Sequence, residues 1–327
     1  MSAKIDACPA SHREAAMPPC PVCGSSAQPI RTVTPELIRR TFAAYFRGEC
    51  NLAFSADMAA YRILRCRECT LEFANPPLPG SSRFYAEIGK QAGYYPGNRW
   101  EWGVAVDELG KSSVGVLVEV GCGSGAFLKK AADALGCRAT GIDTNPDAAV
   151  KCSVAGLNVY CESIEEHCGR FAAPPYDCAV SFHCLEHVEK PLAFARSLFS
   201  LVRPGGLVLL STPLSPMSFE RVWHDPLNNP PHHLTRWNER AYRELARRLH
   251  ADVRLFSPPA AGRGRLAAHA VALANHGTPR TVGRLEVWAA PVLHPMEFLR
   301  ELVYQRHRRQ PKSRLGGDVI LGVFRKP

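Results

Sequence analysis

The stretch Val114-Gly-Val-Leu-Val-Glu-Val-Gly-Cys-Gly-Ser-Gly125 constrains this chain more than any other. A β-branched run passes directly into a glycine turn, and an amphipathic segment from Ala126 to Leu135 follows. That order reads as strand, tight loop, helix. The glycines let the backbone approach a ligand at a distance that a Cβ would obstruct. The loop alone leaves the ligand open. Gly121-Cys-Gly123-Ser-Gly125-Ala126 also satisfies the dinucleotide pattern G-x-G-x-x-G/A, so a nicotinamide enzyme is one reading.

Further elements follow in regular alternation. Arg138–Asp143 reads as a second strand ending in an acid, placed to accept the two hydroxyls of a ribose. Asn158–Cys161 is a third strand, followed by Glu162, Ser163 and Ile164. Tyr176–Ser181 is a fourth, followed by Phe-His-Cys-Leu-Glu-His-Val188 and a helix to about Val202. Arg203-Pro-Gly-Gly206 then turns the chain into a fifth strand, Leu207–Thr212. Ala251–Phe256 and Asp318–Phe324 read as a sixth and seventh. The class is α/β, a parallel sheet with helices on both faces. Ligands in such sheets bind outside the carboxyl ends of the strands. Glu119–Gly125, Asp143, Glu162–Ile164 and Ser181–His187 all fall at those ends.

These residues carry a resemblance. Glu119–Gly125 is similar to motif I of the class I S-adenosylmethionine-dependent methyltransferases, and Gly141-Ile-Asp143-Thr-Asn-Pro146 to their second acidic motif. Leu185-Glu-His-Val188 and Arg203–Gly206 resemble the segments after strand four and before strand five. A nicotinamide enzyme has no reason for Glu119 or for Leu-Glu-His-Val. The resemblance implies a seven-stranded Rossmann-like sheet whose last strand inserts antiparallel beside the fifth. It implies S-adenosyl-L-methionine as cofactor. Gly121, Cys122, Gly123 and Gly125 would meet its methionine and ribose, with Glu119 near its positive end. Asp143 would take the ribose hydroxyls, Glu162 and Ile164 would flank the adenine, and Ser181 would touch the methionine portion. Thr144 and His183 complete the implied set.

The chain has thirteen cysteines, an odd number, so a disulfide framework is not the reading. Cys20-Pro-Val-Cys23 and Cys66-Arg-Glu-Cys69 are two C-x2-C turns. Each aims two thiolates at one point, and together they supply the four-thiolate tetrahedron that structural Zn2+ prefers. All four positions would be protein atoms, so this zinc would hold the fold and do no chemistry. The forty-two residues between the pairs include a helix start at Thr34-Pro35 and a strand at Tyr61–Arg65. The domains expected are a flexible tail (1–19), a zinc-ribbon-like domain with a helical insert (20–80) and linker or lid helices (81–112). A methyltransferase domain follows (113–327), with an insertion at about 258–316. The knuckles, Phe84-Tyr85 and Pro230-Pro-His-His-Leu-Thr-Arg-Trp237 together resemble a zinc-ribbon subgroup that includes sugar and small-molecule methyltransferases.

Methyl transfer to oxygen, nitrogen or carbon is helped by a base, and histidine suits neutral pH. His232 and His233 lie after strand five, where an acceptor would enter; His187 lies in the motif after strand four, and His224 is a similar candidate. Tyr94 and Tyr95 are candidates for a lid. The expected partner is a small-molecule acceptor, in the manner of a sugar or a surface-polysaccharide or secondary-metabolite precursor. The net charge of +10 and Asn229-Pro-Pro-His232 keep an RNA or DNA base methyltransferase as the alternative. A non-catalytic scaffold of the same fold is a further one, against which the intact glycine loop and Asp143 argue. The chain contains no apolar run near the ~18–20 residues of a membrane span. With no signal-like start either, a cytoplasmic location is the default. Met296–Arg309 reads as a basic amphipathic helix, for docking on the core or for peripheral contact with an anionic membrane.

Overall fold

The computed structural model describes residues 17–45, 60–89, 94, 97–220, 226–260, 262–274, 284–307 and 315–327. The expected tail therefore lies almost wholly outside the described residues, as do Tyr95 and His224. In chain order the strands are β1 (Ala27–Val33), β2 (Tyr61–Cys66), β3 (Glu72–Asn75), β4 (Val116–Val120), β5 (Arg138–Asp143) and β6 (Asn158–Cys161). They continue with β7 (Tyr176–Phe182), β8 (Val202–Pro213), β9 (Thr235–Arg236), β10 (Asp252–Phe256) and β11 (Val319–Arg325).

Seven of them form one sheet in the order β10-β11-β8-β7-β4-β5-β6. The strands from β8 to β6 run parallel, and β11 pairs antiparallel with both β8 and β10. This is the seven-stranded Rossmann-like arrangement. Helices cover both faces, so the middle strands are apolar on both sides; Leu117, Val118, Cys178, Ala179 and Val180 are all fully buried. β8 begins at Val202, earlier than Leu207, because the Gly205 N–H and the Gly206 carbonyl pair with the backbone of Lys326.

Local chemistry fixes the loops at the carboxyl ends. The helix Ala126–Leu135 starts from Gly125 and stops at Gly136, both in left-handed backbone. After β5, the Asn145 side chain accepts from the Asp147 N–H, and Pro146 opens the helix Pro146–Val154. After β6, Ser163 and Glu166 form a reciprocal capping box that opens the helix Ile164–Cys168.

A second sheet has the order β1-β2-β3-β9, all antiparallel. Its fourth strand comes from beyond β8, so the N-terminal ribbon is stitched to the loop that carries Pro230–Trp237. The Ala74 N–H donates to the Leu234 carbonyl at 2.8 Å, and Phe73 pairs with Thr235. Cys20, Cys66, Leu64 and Leu71 share one apolar core with Val118, Trp237 and Tyr242.

Within the insertion, helices span Arg263–Ala274, Arg284–Leu293 and Pro295–His307. The last is docked on its own chain. Glu301 is completely buried and faces His269 Nδ1 at 3.1 Å, while the Tyr304 hydroxyl donates to the Met217 carbonyl at 2.9 Å. Arg308 and Arg309 lie outside the described residues. No described helix is long and apolar enough to cross a membrane.

Candidate active-site cleft

A cavity of about 1840 Å³ opens at the carboxyl ends of β4, β5, β6, β7 and β8. Typical ligand pockets hold roughly 300–1,000 Å³, so this one has room for two molecules side by side. One half is lined by Glu119, Gly121, Cys122, Gly123, Asp143, Thr144, Glu162 and Ile164; the other by Tyr85, Tyr94, His183, Glu186, His187, His232 and His233.

In the first half, Gly121 and Gly123 have φ of +76° and +52°, which only glycine adopts readily. A Cβ on Gly121 would lie 2.1 Å from Cys184 Sγ. Asp143 accepts from the Gly123 and Asn145 N–H groups, both at 2.8 Å. Each of its oxygens keeps a lone pair for a further donor. Burial raises the Asp143 carboxyl, and the two N–H donors oppose that rise. Glu119 is buried, and its Oε2 has no hydrogen-bond partner among the described residues. Burial, then the nearby Asp143, pushes this carboxyl well above its ordinary range. An unpaired buried carboxyl oxygen beside a glycine cradle calls for a donor or a cation.

Two residues from the sequence reading stand behind the cleft. Ser181 is buried and donates to the Val120 carbonyl at 2.9 Å, tying β7 to β4. Gly125 is the close-packing position of the loop; a Cβ there would meet Leu157 Cδ1 at 2.4 Å. Glu162 lines the cleft, but its carboxylate is held by Arg170 Nε and by His167 Nδ1 at 2.7 Å. The Arg170 guanidinium, opposed by burial, holds it below its usual range.

In the second half, three histidine rings pack together. Centroids are 4.5 Å apart for His187 and His232, 4.8 Å for His187 and His233, and 4.6 Å for His232 and His233. Burial, then the neighbouring His187, depresses the His232 ring well below its ordinary value; burial, then His232, does the same to His233. Both rings are neutral at pH 7. The Tyr94 hydroxyl lies 3.1 Å from His232 Nε2, and the Tyr85 hydroxyl donates to the His232 carbonyl at 3.3 Å. His183 sits between two acids, with Nε2 2.9 Å from Glu101 Oε1 and Nδ1 3.2 Å from Glu186 Oε1. Burial alone would lower that ring, but the two carboxylates outweigh it and raise it.

Sequence reasoning missed Arg99, Glu101 and Trp102. Arg99 and Trp102 line the cleft, and Glu101 is 2% exposed. The one available signal was an acid between two tryptophans in an apolar segment, Trp100-Glu-Trp102, which is where a buried paired carboxylate belongs.

The four ribbon cysteines are buried, with Sγ atoms all within 4.8 Å of one another. Cys20 and Cys69 are 3.5 Å apart and Cys23 and Cys66 3.3 Å. Tetrahedral zinc with bonds of about 2.3 Å needs sulfurs roughly 3.8 Å apart, so the set fits. Gly24, at φ +75°, closes the first knuckle by donating to the Cys20 carbonyl at 2.9 Å.

The sheet order is the Rossmann-like one that the methyltransferase resemblance implies, with the glycine loop, Glu119 and Asp143 at its carboxyl edge. Residues 98–253, just under half of the chain, match the family model described as a methyltransferase domain. Among curated proteins it is similar to the ubiquinone biosynthesis O-methyltransferase of Erwinia tasmaniensis, 33% identical over 102 residues, 29% of this chain and 41% of that protein. It is likewise similar to the protein of that name from Xanthomonas campestris pv. campestris, 34% identical over 104 residues, 29% of this chain and 42% of that one. The match thus spans about two fifths of the length of these relatives. Among solved structures it aligns with a SAM-dependent methyltransferase from Archaeoglobus fulgidus, TM-score 0.44, 14% identical, covering 69% of this chain and 94% of that one.

Proposed function

We propose that this protein transfers a methyl group from S-adenosylmethionine to a small-molecule acceptor. When bound, that cofactor supplies a sulfonium-activated methyl group for in-line displacement by the acceptor's nucleophile. The observation that carries the reading is the pairing of Glu119 with Asp143 around the positive-φ glycine loop. Asp143 offers its remaining lone pairs to the ribose hydroxyls. The loop from Gly121 to Gly123 admits the methionine chain at backbone distance. Glu119, buried with its Oε2 unpaired, faces the positively charged end, where a cation restores its ionised form. Arg99, also in the cleft wall, matches a carboxylate. Ile164 packs the adenine side, with Thr144 and Glu162 at the rim.

The acceptor enters on the histidine side. His187 and His233 carry no hydrogen bond on Nε2 among the described residues, so either can take a proton from an incoming hydroxyl or amine. Such a base contributes typically 10²–10⁴-fold. Holding nucleophile and methyl carbon in line contributes more, roughly 7–11 kcal/mol. Tyr85 and Tyr94 close the cavity above these rings, and the zinc ribbon braces the loop below them through β3 and β9.

A small acceptor fits better than a nucleic-acid base. Asn229, the residue of the Asn-Pro-Pro-His run, is 5% exposed, and its Oδ1 accepts from Arg31 at 2.6 Å. The run is thereby tied to the ribbon. The Cys184 thiol, pushed far up by burial, is no thiolate nucleophile. The test has two parts. Calorimetry of the purified protein should show S-adenosylmethionine binding; no binding by folded protein defeats the reading. Mass spectrometry of extracts incubated with methyl-labelled cofactor should then show a small metabolite gaining the label; label in RNA or DNA instead defeats the acceptor assignment.

A further inference from the structure

The three clustered histidines share a hydrogen-bond pattern that a lone catalytic base does not need. His187 Nδ1 faces the His232 carbonyl at 2.6 Å, and His232 Nδ1 faces the Leu227 carbonyl at 2.7 Å. His233 Nδ1 faces Asn228 Oδ1 at 3.2 Å. That amide is oriented by its own Nδ2, which donates to Glu220 Oε1 at 3.3 Å. Every Nδ1 partner is an oxygen that only accepts, so every Nδ1 carries the proton. A neutral ring protonated there keeps its lone pair on Nε2. The Tyr94 hydroxyl, donating to His232 Nε2, reads one of those lone pairs directly. One ring nitrogen from each histidine lies within 4.8 Å of the other two.

Anchoring of one ring nitrogen on a carbonyl oxygen, which leaves the other with a free lone pair, is how metal-binding histidines are held. We propose that His187, His232 and His233 form a second metal site, for a divalent ion of the zinc class, separate from the four-cysteine cluster. Imidazole nitrogen selects zinc, cobalt, nickel or copper, whereas magnesium and calcium prefer oxygen. Three protein ligands leave a fourth position for a water or substrate oxygen, the pattern of catalytic and not structural zinc. Bonds of about 2.0–2.1 Å place nitrogens roughly 3.4 Å apart, so the rings close inward on binding and Tyr94 leaves His232. Glu186 supplies neighbouring negative charge: its Oε1 is 3.9 Å from His233 Nε2, and its buried Oε2 has no hydrogen-bond partner among the described residues. The role of the site rests on the methyl-transfer reading. With the metal bound, the Nε2 lone pairs of His187 and His233 would be ligands and no longer bases. An acceptor hydroxyl held at the fourth position would instead have its pKa lowered towards neutrality, as metal-bound water does, and would give its proton to solvent.

The experiment titrates full-length protein, with zinc already in the cysteine cluster, with Co2+ alone. The expected result is one added equivalent, with visible d–d absorption and no thiolate-to-cobalt charge transfer. His187→Ala and, separately, His233→Gln should weaken that uptake at least ~100-fold while keeping the first zinc. Retention of cofactor binding shows that each variant is folded. Absence of the cobalt signal in the wild type overturns the proposal whatever the variants do. So does a signal that survives both substitutions, or one carrying the thiolate band. Calorimetry with S-adenosylmethionine on the same samples separates the two ideas. Cofactor binding without cobalt uptake sinks only the metal site; cobalt uptake without cofactor binding sinks only the methyl-transfer reading.

Discussion

The two halves of the cleft are built in opposite ways. The half proposed for the cofactor comes mostly from one continuous piece of chain, Glu119 to Arg170, whose side chains are positioned largely by neighbours within that piece. Asp143 is fixed by the N–H groups of Gly123 and Asn145, and the Glu162–Ile164 turn by its own capping box. The acceptor half is assembled from four separate places: Tyr85 and Tyr94, Glu101, Glu186-His187 and His232-His233. Beside β9, which closes onto β3 of the ribbon, the Leu234 and Thr235 N–H groups donate to the Glu186 carbonyl and so join the last two of those places. One half is therefore largely a local device, and the other is brought together only by contacts between distant parts of the chain, the four-cysteine ribbon among them.

The largest expected effect tests that division. Replacing Cys66 and Cys69 together by serine removes two of the four ligands of the proposed zinc, a kind of binding worth about 10–16 kcal/mol in small zinc-folded peptides. Because the ribbon cysteines share a core with Trp237 and Tyr242, the melting temperature should fall by more than ~10 °C. Methyl transfer should vanish, while calorimetry on the protein that remains folded at low temperature should show cofactor affinity changed by less than about tenfold. Cofactor affinity lost in step with turnover would show that the halves are not separable. Asp143→Ala is the converse. It deletes hydrogen bonds to a charged group worth roughly 1.5–3 kcal/mol each, so cofactor binding should weaken about 100-fold with the zinc content and melting profile little changed. An affinity within threefold of wild type would place the ribose elsewhere.

The same contrast explains what was legible in the sequence. The glycine loop, Asp143 and the strand alternation are local, periodic or both, and one pass along the chain locates them. The antiparallel last strand came from resemblance, because nothing in Val319–Arg325 by itself says which neighbour it joins. The resemblance implies that Ser181, at the end of β7, contacts the ligand, while in the fold its hydroxyl is turned back onto the Val120 carbonyl. One strand end offers both faces, and the sequence does not say which is taken. The histidines were visible as residues, but their convergence was not. His187 and His232 are 45 positions apart and meet through a ring-to-backbone hydrogen bond that no spacing rule encodes. Glu101 was invisible for the same reason, since its partner His183 is 82 positions away.

A mid-sized effect probes the hinge between the halves. Gly121 belongs to the cofactor loop, and Cys184 to the segment leading to His187. Gly121→Ala imposes a side chain at φ +76° and sets it 2.1 Å from Cys184 Sγ. Left-handed backbone costs about 1–2 kcal/mol and the overlap adds about 1–3 kcal/mol, so urea unfolding should show a loss of roughly 2–5 kcal/mol. Adding Cys184→Ala should recover the overlap and leave the backbone part. Full recovery would mean that the positive φ carries no strain; no recovery would mean that the loop does not touch the acceptor side here.

The smallest effect is also the most discriminating about charge. Glu119, raised well above its ordinary value of about 4.5, holds its proton in the folded, ligand-free protein at pH values where the unfolded chain has released it. The folded state then binds more protons than the unfolded one, so stability falls as pH rises from about 4.5 towards the raised folded value. The slope is at most about 1.4 kcal/mol per pH unit. Glu119→Gln removes the titrating group, so its stability should be flatter across that window and no lower than wild type at its upper end. Denaturant midpoints at a series of pH values read this directly. If the positive end of the cofactor settles beside Glu119, binding must also expel that proton. Calorimetry in two buffers of different ionisation enthalpy should then show proton release by the wild type and none by Glu119→Gln, which binds more weakly. Equal proton release by both proteins would assign the charge that meets the cofactor to another residue. The local device would then reach beyond the segment that encodes it.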